Sequence, residues 1–226
     1  MYARIRVSAL LLLTLAVVGH SWLDPRFNLR SKPQMIDALQ YTRASCPTGL
    51  VVDVGANGGK ETNAAAAYGY QVLSVECLKS EFIRLQKMWD SNDMITLLNG
   101  CASNTLGLQT FHQAAASSSL HQEAISGGPE YIKAKKGGFK VKRTLTFPLD
   151  PIVEGYKDTR VCVVKIDTQG HELAVMMGLQ STISKHRPVV LFEYDPRFGP
   201  LVNKTVPWMA GLSYDCAVPG DHTSLL

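Results

Sequence analysis

Apolar and polar residues alternate in blocks along this chain, and the blocks predict strands and helices in turn. The run Leu50–Val54 holds four apolar residues around one acid, Asp53, and is bounded by Gly49 and Gly55. A short, β-branched run of this kind reads as a strand buried on both faces of a parallel sheet. Further runs of the same type predict strands at Gln71–Val75, Met94–Leu98, Val161–Ile166 and Pro188–Tyr194. Weaker strands are predicted at Leu106–His112, Phe139–Phe147 and Leu212–Ala217. Helices are predicted between them at Gln34–Ser45, from Asn63 to Tyr68 with Gly69 as the stop, at Lys79–Asp90 and at Leu173–Ile183. Buried strands alternating with helices give the class: α/β, with a doubly wound, mainly parallel sheet.

The turn after the first of these strands carries the first chemistry. Gly55, Gly58 and Gly59 allow a sharp turn that can approach a ligand without a Cβ in the way. The spacing is D-x-G-x-x-G, with Asn57 where the dinucleotide fingerprint needs glycine. The next strand ends in Glu76, placed to accept hydrogen bonds from ribose hydroxyls. Asp53 is placed to act indirectly on the turn or to face a cationic group. A ligand with a ribose, a positive end and no pyrophosphate fits these features, and S-adenosylmethionine is such a ligand. The alternative is a general nucleotide fold with structural glycines.

A second polar block, Lys165-Ile166-Asp167-Thr168-Gln169-Gly170-His171-Glu172, stands where a buried strand ends and a helix starts. Charged residues beside a buried strand are expensive unless paired or used. In a doubly wound sheet that edge faces the ligand. Lys165, Asp167, His171 and Glu172 are therefore candidates for substrate handling. The plainer account has Asp167 and Thr168 capping the helix, and Lys165 paired with Glu193 or Glu172.

Composition changes the picture only in places. The chain has 226 residues and a net charge of +4, enough for one domain with a small appendage and too mild to argue for nucleic acid. Its 5 cysteines are widely spaced, with no zinc pattern, and read as small buried residues, with disulfide pairing left open. A basic cluster from Lys133 to Arg143 reads as a solvated hairpin or as a contact to an anionic substrate or surface. Arg4 and Arg6 precede the charge-free run Val7–Gly19, the pattern of a targeting segment. The expected division is a signal-anchor or signal peptide over 1–23, a stem over 24–33 and a catalytic domain over 34–226. That predicts membrane attachment through the N-terminal segment and a lumenal domain in the secretory pathway, at the ER or Golgi membrane, or secretion after cleavage. Asn203-Lys204-Thr205 is a glycosylation sequon, meaningful on a lumenal face.

Five motifs in order carry a resemblance: Asp53-Val-Gly-Ala-Asn-Gly-Gly59, Val75-Glu76, Ser118-Ser119-Leu120, Lys165 to Glu172, and Leu191-Phe-Glu193. From Leu50 to Tyr194, and more weakly on to Ala217, the chain resembles the FkbM-type methyltransferases. The resemblance implies a Rossmann-like class I methyltransferase fold and S-adenosylmethionine as cofactor. It implies O-methylation of a sugar, glycan or small-molecule hydroxyl. Cofactor contacts are implied at Asp53, Gly55, Asn57, Gly58 and Glu76, with Cys101 and Ala102 in the turn near adenine. Two departures stand out: Cys77 where the family has proline, and a short segment after Tyr194, which predicts a reduced antiparallel end of the sheet.

Methyl transfer to a hydroxyl needs an aligned acceptor and a base for its proton. His171 is the first candidate base and Asp167 the second, with Lys165 stabilising a developing alkoxide or holding Asp167. No metal is required, although Asp167 and Glu193 could hold a divalent ion. The competing functions are a catalytically inactive binding or scaffold module and a nicotinamide-dependent dehydrogenase. The missing glycine at position 57 counts against the second.

Overall fold

The computed structural model describes residues 13–19, 35–113, 118–120, 140–194 and 201–217. The strands, in chain order, are β1 (Leu13–Gly19), β2 (Leu50–Val54), β3 (Gln71–Glu76), β4 (Ile95–Asn99), β5 (Cys101–Ala102), β6 (Gly107–Gln113), β7 (Ser118–Ser119), β8 (Lys140–Phe147), β9 (Val161–Ile166), β10 (Val189–Tyr194) and β11 (Tyr214–Ala217). Seven of them form the main sheet, in the order β11-β1-β10-β9-β2-β3-β4. The five from β10 to β4 run parallel, and β1 is antiparallel to both β10 and β11. The fold is mixed α/β with a mainly parallel central sheet.

The buried strands form because their residues are apolar on both faces. Leu50, Val52 and Val54 of β2 pack with Leu73, Val75, Val164, Ile166, Met176 and Phe192 on one side. Val51 packs with Leu39, Val72, Val163 and Leu191 on the other. Full burial of one such side chain stabilises by about 1.5–3 kcal/mol. Asp53 is the polar exception in β2, and it is wholly buried.

The helices lie in the connections. Met35–Thr42 precedes β2, and Lys60–Ala67 follows the glycine turn. Lys79–Met88 links β3 to β4. The expected helix over Leu173–Ile183 is instead two, Glu172–Met177 and Gln180–His186. The break falls at Gly178, where a Cβ would overlap the Ser103 carbonyl oxygen. The Gly178 carbonyl there accepts the Leu149 and Asp150 amides at 3.0 and 2.9 Å. The helix at Val202–Gly211 has no counterpart in the elements expected from sequence, and it holds Pro207 in its interior, where proline normally breaks a helix. Thr205 of the sequon lies within this helix and is buried.

The signal-anchor or signal peptide expected over 1–23 finds no support at Leu13–Gly19. This stretch is a strand, paired from Leu13↔Tyr194 to Val17↔Val190 with β10, and from Ala16↔Ala217 to Gly19↔Tyr214 with β11. A charge-free apolar run suits a strand enclosed between two others as well as a membrane segment, so hydropathy alone does not separate them. No helix among the described residues is long and apolar enough to cross a membrane. Residues 1–12 and the stem at 24–33 lie outside the described residues, as do Lys133, Lys135 and Lys136 of the basic cluster. The antiparallel end of the sheet, expected to be reduced, is built by β1 with β11.

A smaller sheet, β5-β8-β6-β7, stands over the carboxyl edge of the main one. Its hairpin of β6 and β8 runs in register from Gly107↔Thr146 to Gln113↔Lys140. Lys140, Lys142 and Arg143 lie exposed on β8. Phe111 is the buried exception in β6 and turns toward the main sheet's edge.

Four cysteines are joined as disulfides, Cys46–Cys162 and Cys77–Cys101, and Cys216 is free and buried. The pairing left open from sequence is thus realised for four of the five, and the reading as a small buried residue holds unpaired for Cys216 alone. The partners are 116 and 24 residues apart in sequence, distances that no local pattern connects.

Candidate active site

The carboxyl ends of β2, β3 and β9 meet around a cavity of about 280 Å³. Ligand sites generally span roughly 300–1,000 Å³, so this one suits a single small molecule. Its wall is built from the glycine turn, the end of β3, the start of β5 and the loop after β9, and it is capped by Phe111 and Leu120.

The glycine turn is tight for reasons visible in its backbone. Gly55 and Gly59 both have φ +78°, in the left-handed region. A Cβ on Gly55 would overlap the Asp167 carbonyl oxygen. The Gly55 and Ala56 amides donate to the Val75 carbonyl at 2.9 and 3.2 Å. Asn57, with φ +43°, turns its amide to Glu76 Oε2 at 2.8 Å. Gly58 has open space around it and does not line the cavity.

Glu76 is 6 % exposed, and its other oxygen accepts the Leu78 amide at 2.6 Å. Burial pushes the Glu76 carboxyl above its ordinary value, against the pull of the Leu78 and Asn57 amides and of Lys165. A carboxylate has about four acceptor positions, so two amides leave capacity for a ligand's hydroxyls. Glu76, Gly55 and Asn57 all line the cavity, as do Cys101 and Ala102 on the facing strand end.

Asp53 does not line the cavity. Its Oδ2 accepts the Thr62 hydroxyl at 2.6 Å, and Thr62 in turn lies 3.0 Å from Ser74 Oγ. Its Oδ1 lies 3.2 Å from Lys165 Nζ. The parallel register of β2 with β9 sets Asp53 opposite Lys165, so the pair follows from the sheet itself. Lys165 also donates to the Gly55 carbonyl at 2.7 Å. Burial alone would lower the Lys165 pKa, but the attraction of Asp53 and Asp167 outweighs it and the value stands above the ordinary one. Lys165 therefore stays charged and clamps the glycine turn from behind. Its partner is Asp53, neither of the acids at 172 and 193 considered from sequence. It is absent from the cavity wall, a placement that suits bracing the turn and does not suit contact with an alkoxide.

The loop after β9 supplies the opposite wall. Asp167, Thr168, Gln169 and His171 line it. His171 is 6 % exposed, with Nε2 3.0 Å from the buried Ser103 hydroxyl. Gln169 Nε2 donates to Asp167 Oδ1 at 3.1 Å and to Glu193 Oε2 at 2.6 Å, so an amide bridges the two acids. Among the described residues no group of three or more His, Cys, Asp or Glu is arranged to hold a metal ion.

Glu172 shapes this loop from beneath. Its Oε1 accepts the Thr168 amide, the Thr168 hydroxyl and the Gly170 amide, at 2.9, 3.1 and 3.2 Å. Its Oε2 is buried with no hydrogen-bond partner. Burial pushes the carboxyl up to about 7, the loop amides opposing it. The capping expected of Asp167 and Thr168 is thus replaced by a carboxylate at the helix start that gathers loop amides.

The cavity brings together Gly55, Asn57, Glu76, Cys101, Ala102, Asp167 and His171 from the sequence-predicted set, and leaves Asp53, Gly58 and Lys165 outside it. Phe111, Leu120, Cys77 and Leu78 also line it and were not predicted. The available signals were Leu120, inside the Ser118-Ser119-Leu120 motif, Cys77, beside Glu76, and Phe111, an aromatic residue in an otherwise mostly polar strand.

Comparison with known proteins agrees with this layout. The sequence pattern of the FkbM methyltransferase domain matches residues 53–216. No curated protein matches the chain. Among solved structures, the chain is similar to a methyltransferase FkbM from Methylobacillus flagellatus KT, with a TM-score of 0.51 and 17 % identity. The match covers 84 % of this chain but 44 % of that one, and at such identity it speaks for the fold. The domain match extends from the acid of β2 through β11, across both walls of the cavity, and the chain belongs to the FkbM methyltransferase family.

Proposed function

We propose that this chain transfers a methyl group from S-adenosylmethionine to a hydroxyl of a sugar, glycan or other small molecule. The observation that carries the reading is the cavity's two unlike walls. One has a buried acid, Glu76, fixed by the Asn57 and Leu78 amides; the other has His171 and Asp167. The residues present fit the donor: Glu76 has acceptor capacity left for ribose hydroxyls, and the glycine turn lets the backbone come close. When bound, that donor supplies an activated methyl group on a sulfonium.

The chain's own residues then have separate tasks. Glu76 and the Asn57 turn hold and orient the donor, while Cys101 and Ala102 border the end suited to the base. Lys165 and Asp53 keep the turn in shape from behind. His171 takes the acceptor's proton, with its ring set by Ser103; an imidazole within reach of the acceptor suits that work. Asp167 orients the acceptor hydroxyl from beside it.

The test is methyl transfer from labelled donor to a panel of polyhydroxylated acceptors. A positioned base contributes about 10²–10⁴-fold, so His171→Ala should lose turnover on that scale with donor affinity within about twofold. Unchanged turnover at neutral pH would remove His171 from the mechanism. Two disulfides support an oxidising compartment such as the secretory pathway as the working place. Fractionation of the expressed full chain, with thiols blocked at lysis, would test that.

A further inference from the structure

The two disulfides stand in different places. Cys46–Cys162 joins the loop before β2 to β9, with both residues buried and neither on the cavity. Cys77–Cys101 is part of the cavity wall. Cys77 follows Glu76 directly, and Cys101 stands two residues after Asn99, the register partner of Glu76 in β4. The two Cα atoms are 4.5 Å apart. The Thr144 hydroxyl of β8 lies 4.0 and 3.8 Å from the two sulfurs, so the upper hairpin rests on the same bridge.

We propose that this bridge makes donor affinity depend on the thiol–disulfide state of Cys77 and Cys101. The disulfide form binds the donor and the dithiol form binds it weakly. The inference rests on the methyltransferase reading and adds a control to the same site. Cys77 is the more exposed of the two, and it lines the cavity. An external thiolate attacks Cys77 Sγ, and Cys101 Sγ leaves as a thiolate that takes up a proton. A second external thiolate then attacks the sulfur of the first, and Cys77 Sγ leaves as a thiolate that takes up a proton. The protein disulfide and two small thiols become the protein dithiol and one external disulfide.

The structural consequence follows from what the bridge holds. Unbonded sulfurs must move apart, and Cys77 lies between Glu76 and Leu78. The Glu76 carboxylate is oriented by the Leu78 amide on one oxygen and the Asn57 amide on the other. Displacing Cys77 disturbs both, along with the Cys101–Ala102 side of the wall. Coupling is reciprocal, so a bound donor must favour the disulfide by the same factor. For a tenfold preference that is about 30 mV in the pair's potential.

The experiment is calorimetric titration of the full chain with S-adenosylhomocysteine, the demethylated donor, before and after dithiothreitol. Alkylation and peptide mass spectrometry report which bridge has opened. The expected result is a Kd weakened about tenfold or more once Cys77 and Cys101 are thiols. Bound S-adenosylhomocysteine should slow opening of that bridge and leave Cys46–Cys162 unaffected. Cys46→Ser/Cys162→Ser should keep the response to dithiothreitol. Cys77→Ser/Cys101→Ser should bind weakly with or without it. Should that variant fail to fold, the reduced wild-type chain gives the same answer. An unchanged Kd with both thiols alkylation-reactive overturns the inference and leaves the methyltransferase reading standing. No binding in either state overturns that reading itself.

Discussion

Two buried acids lie behind the cavity, and their surroundings treat them in opposite ways. Asp53 has a cation across the strand pair, with Lys165 Nζ 3.2 Å away, and a hydroxyl donor in Thr62. Glu172 is equally buried, but every group it meets is neutral, and Oε2 meets none. The first acid belongs to an ion pair whose lysine is held above its ordinary pKa; the second has its carboxyl pushed up to about 7. Burial is nearly the same in the two places, so the difference between them is the counter-charge, which Asp53 has and Glu172 lacks. The consequence for the site is a division of stiffness. The glycine turn is clamped by an ion pair, and the loop after β9 hangs on a carboxyl pushed up to about 7.

The comparison breaks most severely at the pair. Lys165→Met leaves Asp53 buried without its cation and should destabilise by about 3–5 kcal/mol. Urea unfolding measures this, and Asp53→Asn/Lys165→Met should recover a good part of the loss. A double variant as unstable as the sum of the singles would show that the two groups do not act as a pair.

Glu172→Gln sharpens the other side. The folded pKa is raised, so the native state holds its proton more tightly than the unfolded chain. Stability therefore falls as pH rises from about 4.5 to about 7, and the penalty persists above that. Its size is at most roughly 3 kcal/mol by linkage. Urea unfolding at pH 5 and pH 7.5 should show this fall in the wild type and a smaller one in Glu172→Gln. Identical slopes in both proteins would remove Glu172 as the source.

The smallest expected effect belongs to Thr62→Val. It removes one hydrogen bond to a charged acceptor, worth about 1.5–3 kcal/mol, while Lys165 still holds the carboxylate. A loss as large as that of Lys165→Met would place the weight of the clamp on the hydroxyl and against the ion pair.

Much of the cavity could be read from the chain because its parts are local. The strand–glycine–helix order at Leu50–Ala67 and the acid ending β3 depend on nearest neighbours and on hydrophobic runs. The features that were missed depend on register or on distant contacts. Asp53 meets Lys165 only because β2 and β9 pair with those two residues opposite, and no spacing within either strand says so. Cys77 and Cys101 meet because β3 and β4 end side by side. The break at Gly178 depends on the Ser103 carbonyl, 75 residues earlier in the numbering. Leu13–Gly19 was ambiguous for a different reason: an apolar run without charges describes a strand flanked on both sides and a targeting segment equally well. Phe111 and Leu120 reach the cavity through a hairpin whose position over the main sheet has no sequence signature.

The central claim is that the cavity between Glu76 and His171 holds the methyl donor. Calorimetry of S-adenosylhomocysteine with the oxidised full chain, beside Glu76→Ala and His171→Ala, tests it most directly. The account predicts a single site in the wild type, binding weakened by about 2 kcal/mol or more in Glu76→Ala, and near-unchanged binding in His171→Ala. Equal affinity in the wild type and Glu76→Ala, or no binding by a folded wild-type chain, would contradict it.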